Sequence, residues 1–302
     1  MNKGRDPQIA FIGFGELANG LVKGLKTEGL THIKVYDKRM NQDSEAGKML
    51  RSNAKALGVT TAEKMEDLVP GTDIIFSTVT PKNALAAAKG MSGYLKSGVI
   101  YADLNSCTPN LKKQCSAEIE RSGADYVDVG VVGGISLQGH RIPCFVCGEM
   151  ASKLKEKMSP YGMNLEVVDA PVGTAALIKM LRSVVLKGIE ALMLEMFMAA
   201  QEYGLEDMMM KSIAGTFNRG DFEKYSDMLM TTHGLHAGRR CDEAEMILET
   251  IKEGGVNPYV TEGIYKFFAN SAKLNMPAYF HGAMPSGYKE VAKAIKELSG
   301  KR

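Results

Sequence analysis

Tryptophan is absent from this 302-residue chain, and no apolar run approaches the roughly 18 residues that a membrane span requires. A large excess of one charge is lacking too. The 37 basic and 35 acidic residues leave a net charge of +2, so electrostatics gives no reason to expect nucleic acid or an anionic membrane as partner. Cysteine is scarce. Five residues, an odd number thinly spread, do not make a disulfide framework. Cys144 and Cys147 do form a C-x-x-C within IPCFVCG, but residues three apart on a strand point to opposite faces. That suits neither a redox pair nor a metal clip, and no second pair exists elsewhere, so both thiols read as core. The polar start MNKGRDPQ passes directly into an apolar segment; no secretory leader is expected, and a reducing cytoplasm is the expected home. Internal repeats and low-complexity tails are missing as well. What is present, 45% hydrophobic and 24% charged residues, is ordinary for a soluble chain long enough for two domains.

The chain is organised around Ile9 to Gly20, IAFIGFGELANG. A short apolar run enters Gly13-Phe14-Gly15 and then Ala18, the pattern G-x-G-x-x-A, and a helical period continues through Leu21, Val22 and Leu25. Gly13 permits a tight strand-to-helix turn, Gly15 lets the backbone approach a pyrophosphate, and Ala18 lets the helix pack close to a sheet. The helix start then offers unpaired N–H groups to an anion. A second strand-like run, Ile33-Lys34-Val35-Tyr36, ends in Asp37, about twenty residues on, where an acid would hold the adenosine ribose. This predicts a dinucleotide-binding βαβ unit.

Strand and helix patterns alternate through the first half. Strands are expected near Val59-Thr60, Asp73–Val79, Val99–Asp103, Asp125–Val129, Cys144–Cys147 and Glu166–Val168, with helices at Lys82–Gly90 and Pro109–Arg121 and a polar stretch from Asp37 to about Leu57. The fold class is α/β: an N-terminal Rossmann domain with a doubly wound parallel sheet over residues 1–171, then an all-α domain over 172–302. In that second half a long helix from Thr174 to Tyr203 is followed by helical segments at Glu206–Phe217, Phe222–Leu229, Cys241–Lys252, Tyr259–Asn270 and Tyr288–Leu298. Most of the 20 methionines lie here and read as core and interface filler. A helical half this apolar predicts a homodimer formed through the long helix.

Three stretches carry candidate chemistry. Asp103-Leu104-Asn105-Ser106 ends a strand, where α/β sheets place ligands. Asp128 to Gly134 ends the next strand with paired glycines, Gly133 and Gly134, whose N–H groups can approach a carboxylate or carbonyl. Lys179 opens the long helix with Arg182 and Ser183 on the same face. To oxidise an alcohol, a base must take the hydroxyl proton as hydride leaves for a nicotinamide. A lysine near 10.4 in water must be lowered toward ~7–8 for that role, by burial beside cations such as Arg182 or Lys187.

These motifs, in this order, resemble the β-hydroxyacid dehydrogenases, the family of 6-phosphogluconate and 3-hydroxyisobutyrate dehydrogenases. Within it the run Lys179-Met180-Leu181-Arg182-Ser183 is similar to a branch with its own phosphogluconate-dehydrogenase-like helical C-terminal domain. The resemblance implies Lys179 as the catalytic acid/base, with Asn105 and Ser106 as its carboxamide-and-hydroxyl partners at the nicotinamide. It implies cofactor contacts from Gly13, Phe14, Gly15, Glu16 and Leu17, from Asp37, Lys38 and Arg39, from Thr78, Val79 and Thr80, and from Asn105. NAD or NADP is the implied cofactor. Asp37 repels a 2′-phosphate while Lys38 and Arg39 attract it, a balance read as slightly favouring NAD.

The chain also departs from the family pattern. In the substrate-gripping D-x-P-V-S-G-G the proline position is Gly130 and the serine position is Val132, and Arg182 or Ser183 replaces the asparagine after the lysine. An ordinary small 3-hydroxy acid loses its serine contact, while Arg182 and the group His233, His236, Arg239 and Arg240 could supply anion contacts. The expected substrate-binding set is Gly133, Gly134, Arg182, Ser183, His236 and Arg240, for a small anionic substrate. His233 and His236 sit three apart on an expected helix end with no fitting carboxylate, so no metal site is expected. His32 and His140 read as structural, with His140-Arg141 near enough to the glycine pair to touch substrate. Two other readings use the same fold: an imine or opine-type reductase, favoured by the missing serine and opposed by Lys179, and a cofactor-binding protein without turnover.

Overall fold

All four residues of Ile9–Ile12 are buried, so this strand can only be interior. In the computed structural model, which describes residues 5–300, it is β1 of an eight-stranded sheet. The others are β2 (Ile33–Tyr36), β3 (Thr60–Thr61), β4 (Ile74–Ser77), β5 (Ile100–Asp103), β6 (Asp125–Val131), β7 (Cys144–Cys147) and β8 (Leu165–Val167). Helices α1 (Glu16–Thr27), α2 (Glu45–Leu57), α3 (Ala84–Ser92), α4 (Pro109–Glu120), α5 (Ile135–Gln138) and α6 (Ala151–Met158) alternate with them. Then follow α7 (Thr174–Glu202), α8 (Glu206–Phe217), α9 (Phe222–Glu253), α10 (Tyr259–Ala272), α11 (Met276–Tyr279) and α12 (Tyr288–Leu298).

The spatial order is β3-β2-β1-β4-β5-β6-β7-β8. The chain winds outward from β1 to β3 and returns to the other side of β1 at β4, so a crevice opens beyond the carboxyl ends of β1 and β4. Alternation along β1 sends Ile9 and Phe11 into one core with α1, α2 and α6, and Ala10 and Ile12 into the other with α3 and α4. At the first turn Gly13 holds φ +86°, and a Cβ there would lie 2.6 Å from the carbonyl oxygen of Thr78. Only glycine fits that crossing of β1 over the end of β4.

Three features depart from the sequence expectation. The β6–β7 pair is antiparallel, with Val131 opposite Cys144, so the sheet is mostly rather than wholly parallel. The link between them holds only the short α5 and a turn, and it does not carry the chain back along the sheet as a parallel crossover must. The polar stretch after Asp37 contains α2, started by Ser44, whose hydroxyl accepts the Gly47 N–H at 3.1 Å. Finally, α9 is one helix of 32 residues, not two segments around a histidine-bearing end. Gly234 sits inside it where a Cβ would meet Pro285 at 2.8 Å and Phe280 at 3.2 Å, so this glycine lets neighbours pack instead of ending the helix.

Contacts divide the chain into two units, Met1–Val184 and Val185–Arg302. The boundary falls inside α7, later than residue 171, and it leaves Lys179 with the sheet-bearing unit. In the second unit the Glu195 carboxylate caps the start of α10, accepting the N–H groups of Val260 at 2.7 Å and Thr261 at 2.8 Å. Among the described residues no helix is long and apolar enough to cross a membrane.

Candidate functional site

A cleft of about 550 Å³ lies at the crevice of the first unit. Gly13, Gly15, Glu16, Leu17, Asp37, Lys38, Arg39, Thr78, Val79, Thr80 and Asn105 line it, with Ser106 beside Asn105. Phe14 does not: it is fully buried and gives its N–H to Asp37 Oδ2 at 3.0 Å. Tyr36, Met65, Pro81, Asn83, Ala86 and Ala87 also line the cleft, and the motif arithmetic does not reach them because they come from strand ends and helix faces. No side chain caps the start of α1 at Gly15, and a Cβ on Gly15 would meet nothing within 4 Å. Free amides therefore face open room, a fit for the pyrophosphate of a dinucleotide.

Within the lining, Asp37, expected from its spacing to meet a ribose, is 6% exposed and its carboxylate is fully engaged. Oδ1 accepts Arg39 N–H at 3.0 Å and Nε–H at 2.9 Å; Oδ2 accepts Arg39 Nη2–H at 2.6 Å besides Phe14 N–H. Burial works to raise this carboxyl, but the Arg39 side chain and the two backbone bonds outweigh it and hold the group below its ordinary 3.8.

Lys179 Nζ donates to Ser106 Oγ at 2.5 Å. The Asn105 side chain donates from Nδ2 to Ser77 Oγ at 2.9 Å and leaves Oδ1 buried without a partner. Burial lowers Lys179 from its ordinary 10.5, and the ammonium of Lys112 lowers it further. The cation is therefore Lys112 and not Arg182 or Lys187, the two that the sequence suggests. Arg182 is exposed, and Lys187 pairs with Glu190 at 2.8 Å. Ser183 turns its hydroxyl back onto the Lys179 carbonyl at 2.8 Å. Cys107 and Cys144 flank the site, their thiols pushed by burial to about 11 and about 12.

The glycine pair is partly spoken for, since Gln138 Oε1 accepts the Gly134 N–H at 3.3 Å and closes over Gly133. His140 packs against Gly24 and Gly162 with Nε2 3.2 Å from Glu28, so it is a packing residue. His236 and Arg240 belong to α9 in the second unit, where Arg240 donates to the Leu229 carbonyl at 3.0 Å and to Thr232 at 2.7 Å. His233 lies mid-helix, not at a helix end, with Nε2 2.6 Å from Ser271 Oγ. Among the described residues no group of three or more His, Cys, Asp or Glu is placed to hold a metal ion.

Beneath Lys179 lies a feature the sequence reading missed. Lys112 of α4 is 0% exposed, and its Nζ stands 3.0 Å from Asp103 Oδ1 and 3.2 Å from Asp128 Oδ1. It also donates to the Asp103 carbonyl at 2.5 Å. Asp103 Oδ1 accepts the Asn105 N–H at 2.8 Å, and Oδ2 accepts the Tyr126 hydroxyl at 2.6 Å. Asp128 Oδ2 accepts the N–H groups of Gly173 and Ala176 at the start of α7, each at 3.1 Å. Asp128, placed by the motif on the substrate side, is thus turned inward as a cap. An anion at a helix start is the favourable placement. Gly130, two residues on, has no room for a Cβ, which would collide with the Ala175 carbonyl.

Residues 8–148 match a family model described as the NAD binding domain of 6-phosphogluconate dehydrogenase, and residues 200–271 match a domain of unknown function. An uncharacterised 28.5 kDa protein of Methanothermus fervidus is 31% identical over 265 residues, 86% of this chain and 98% of that one. Human mitochondrial 3-hydroxyisobutyrate dehydrogenase is 26% identical over 186 residues, and the match spans 52% of that enzyme. A conserved hypothetical protein from Sinorhizobium meliloti is 28% identical, with 98% of each chain covered and a TM-score of 0.60.

The lowered Lys179 gives a stability prediction of definite sign. Below its folded pKa the ammonium is charged in both states, and the native state carries the whole cost of burying it. That cost fades as pH rises through the folded pKa toward the unfolded value of 10.5. Replacing the side chain with a neutral one of similar length, Lys179→Met, should raise the melting temperature near neutral pH, by an amount that shrinks as the medium becomes alkaline. Thermal melts of the two proteins across pH check this; a gain that is absent, or that does not depend on pH, contradicts it.

Proposed function

The chain belongs to the β-hydroxyacid dehydrogenase family, and from that premise we propose that it is an NAD(P)-dependent oxidoreductase. It transfers hydride between a nicotinamide cofactor and a 3-hydroxy acid or related alcohol, with Lys179 as general acid/base. The observation that carries this reading is the Lys179–Ser106 contact, made to a residue that lines the same cleft as Asn105 and the Gly13–Gly15 turn. Free amides at the start of α1 would hold the pyrophosphate, the Thr78–Thr80 segment would line the path, and the unpartnered Oδ1 of Asn105 is available to a carboxamide N–H. When bound, the nicotinamide supplies the hydride acceptor or donor.

The remaining chemistry belongs to this chain. In the oxidative direction the neutral amine of Lys179 takes the substrate hydroxyl proton; in the reductive direction its ammonium returns one to the forming alkoxide. Lowering of the lysine by burial and by Lys112 raises the neutral fraction near physiological pH. Ser106 accepts one Lys179 N–H and so fixes where the nitrogen points. Val132 stands where relatives carry a substrate-binding serine, which favours imine reduction as a second reading.

For the cofactor, the engagement of Asp37 by Arg39 tips the reading toward NADP(H). The carboxylate that would accept ribose hydroxyls has its acceptor positions filled and its charge compensated, and Lys38 and Arg39 remain exposed at the rim. For assembly, α7 exposes Leu181, Val184, Leu194 and Met198, an apolar set that a second copy of the chain would cover.

Three outcomes are expected. Lys179→Met should lower turnover by the ~10²–10⁴-fold typical of a lost general acid or base, with cofactor affinity nearly unchanged. A screen of hydroxy acids and imines supplies the substrate, and a variant keeping a third of the wild-type rate removes Lys179 from the mechanism. NADPH should bind more tightly than NADH, and Arg39→Ala should weaken NADPH about tenfold while freeing Asp37 to improve NADH. Fluorescence titrations decide this, and tighter NADH binding by the wild type sinks the NADP(H) reading. Light scattering at micromolar concentration should give twice the 32.8 kDa chain mass, whereas a monomer there would refute the dimer.

A further inference from the structure

Two pieces of backbone must stay in register for Lys179 to reach Ser106. One is the segment after β5 that carries Asn105 and Ser106; the other is the first turn of α7. Each is tied to a buried carboxylate: Asn105 N–H to Asp103, and the N–H groups of Gly173 and Ala176 to Asp128. One ammonium stands between those carboxylates, Lys112 Nζ, at 3.0 Å and 3.2 Å. The contacts close a ring from Lys112 through Asp103, Asn105 and Ser106 to Lys179, and back through Ala176 and Asp128. No other cation bonds both carboxylates among the described residues.

We propose that Lys112 is a positioning residue of the Lys179 site, a buried cation that holds the Asn105–Ser106 segment and the start of α7 together directly behind the working amine. The assignment rests on the dehydrogenase reading for the word working, but the geometry is independent of it. Lys112 has a second effect because it keeps its own proton: although burial opposes the charge, Asp103 and Asp128 hold its pKa above 10.5. A permanent positive charge there disfavours a second one on Lys179. The other groups facing Lys179 are Asp128 from β6, Cys107 from the loop before α4, Cys144 from β7 and the Ser106 hydroxyl. Arg182 and Ser183 are its neighbours on α7. Asp128 favours the charged amine, the thiols stay protonated, and Arg182 is solvated, so Lys112 is the neighbour that pushes the other way.

The test needs neither substrate nor cofactor. Trace acetylation by acetic anhydride, read at Lys179 by mass spectrometry across pH, reports the fraction of neutral amine. The comparison is between wild type and Lys112→Met/Asp103→Asn, which removes the cation and one anion together so that the buried charge stays balanced. The midpoint for Lys179 should move up by about one pH unit, which is about tenfold slower acetylation near neutral pH. A double variant that melts cooperatively with an unmoved midpoint overturns the proposal, since a merely structural lysine would leave the amine unchanged. If that variant does not fold, Lys112→Arg decides: it keeps the charge and should keep the wild-type midpoint, and a raised midpoint overturns the proposal. Failure of the dehydrogenase reading would instead appear as absent NADH and NADPH binding, a separate measurement that leaves the acetylation result intact.

Discussion

One buried ammonium between two buried carboxylates ties together the carboxyl ends of β5 and β6 in the first unit. Moving such charges out of water costs several kcal/mol per ion unless every remaining donor and acceptor is satisfied. Here a backbone carbonyl, two backbone amides of α7, the Asn105 amide and the Tyr126 hydroxyl surround the three side chains, while Asp128 Oδ1 has the ion pair with Lys112 and no hydrogen bond. A network of this kind is costly to break and adds little net stability over a well-packed apolar replacement. Its value is in geometry. The carboxyl ends of β5 and β6 and the start of α7 acquire one relative position, and any ligand that spans Asn105 and Lys179 reads that position.

Local patterns made much of the fold legible. Glycine spacing after an apolar run, twenty residues to Asp37, and the strand rhythm up to Cys147 follow from what a doubly wound sheet requires locally, and β7 and the α8 and α12 boundaries match the expected ranges. What stayed hidden depends on partners far away in sequence. A lysine on an amphipathic helix reads as a solvated cation, and only the convergence of β5 and β6 buries Lys112. Asp128 was visible, but its direction depends on α7 folding over it. The polarity of Glu45 to Leu57 concealed α2, whose apolar side is as narrow as Leu50 and Ala54. The continuity of α9 between Leu229 and Cys241 is hidden for the same reason, because the packing of Gly234 cannot be seen without Pro285 and Phe280.

Asp37 shows the same limit at the chemical level. Its position predicts a ribose acid, and it lines the cleft. Yet two residues on, Arg39 closes a fork onto it, so the carboxylate's acceptor positions are taken up within the protein. Spacing alone cannot show this, because it does not reveal that Asp37 and Arg39 bond each other.

Gly130 limits what substitution can do at this site. A Cβ at position 130 would collide with the Ala175 carbonyl, so even alanine cannot enter while the start of α7 stays where it is. Lys179 lies one turn beyond Ala175 on the same helix, so a larger residue at position 130 would displace the amine that the helix carries. One missing methyl group on β6 thus sets where the lysine stands.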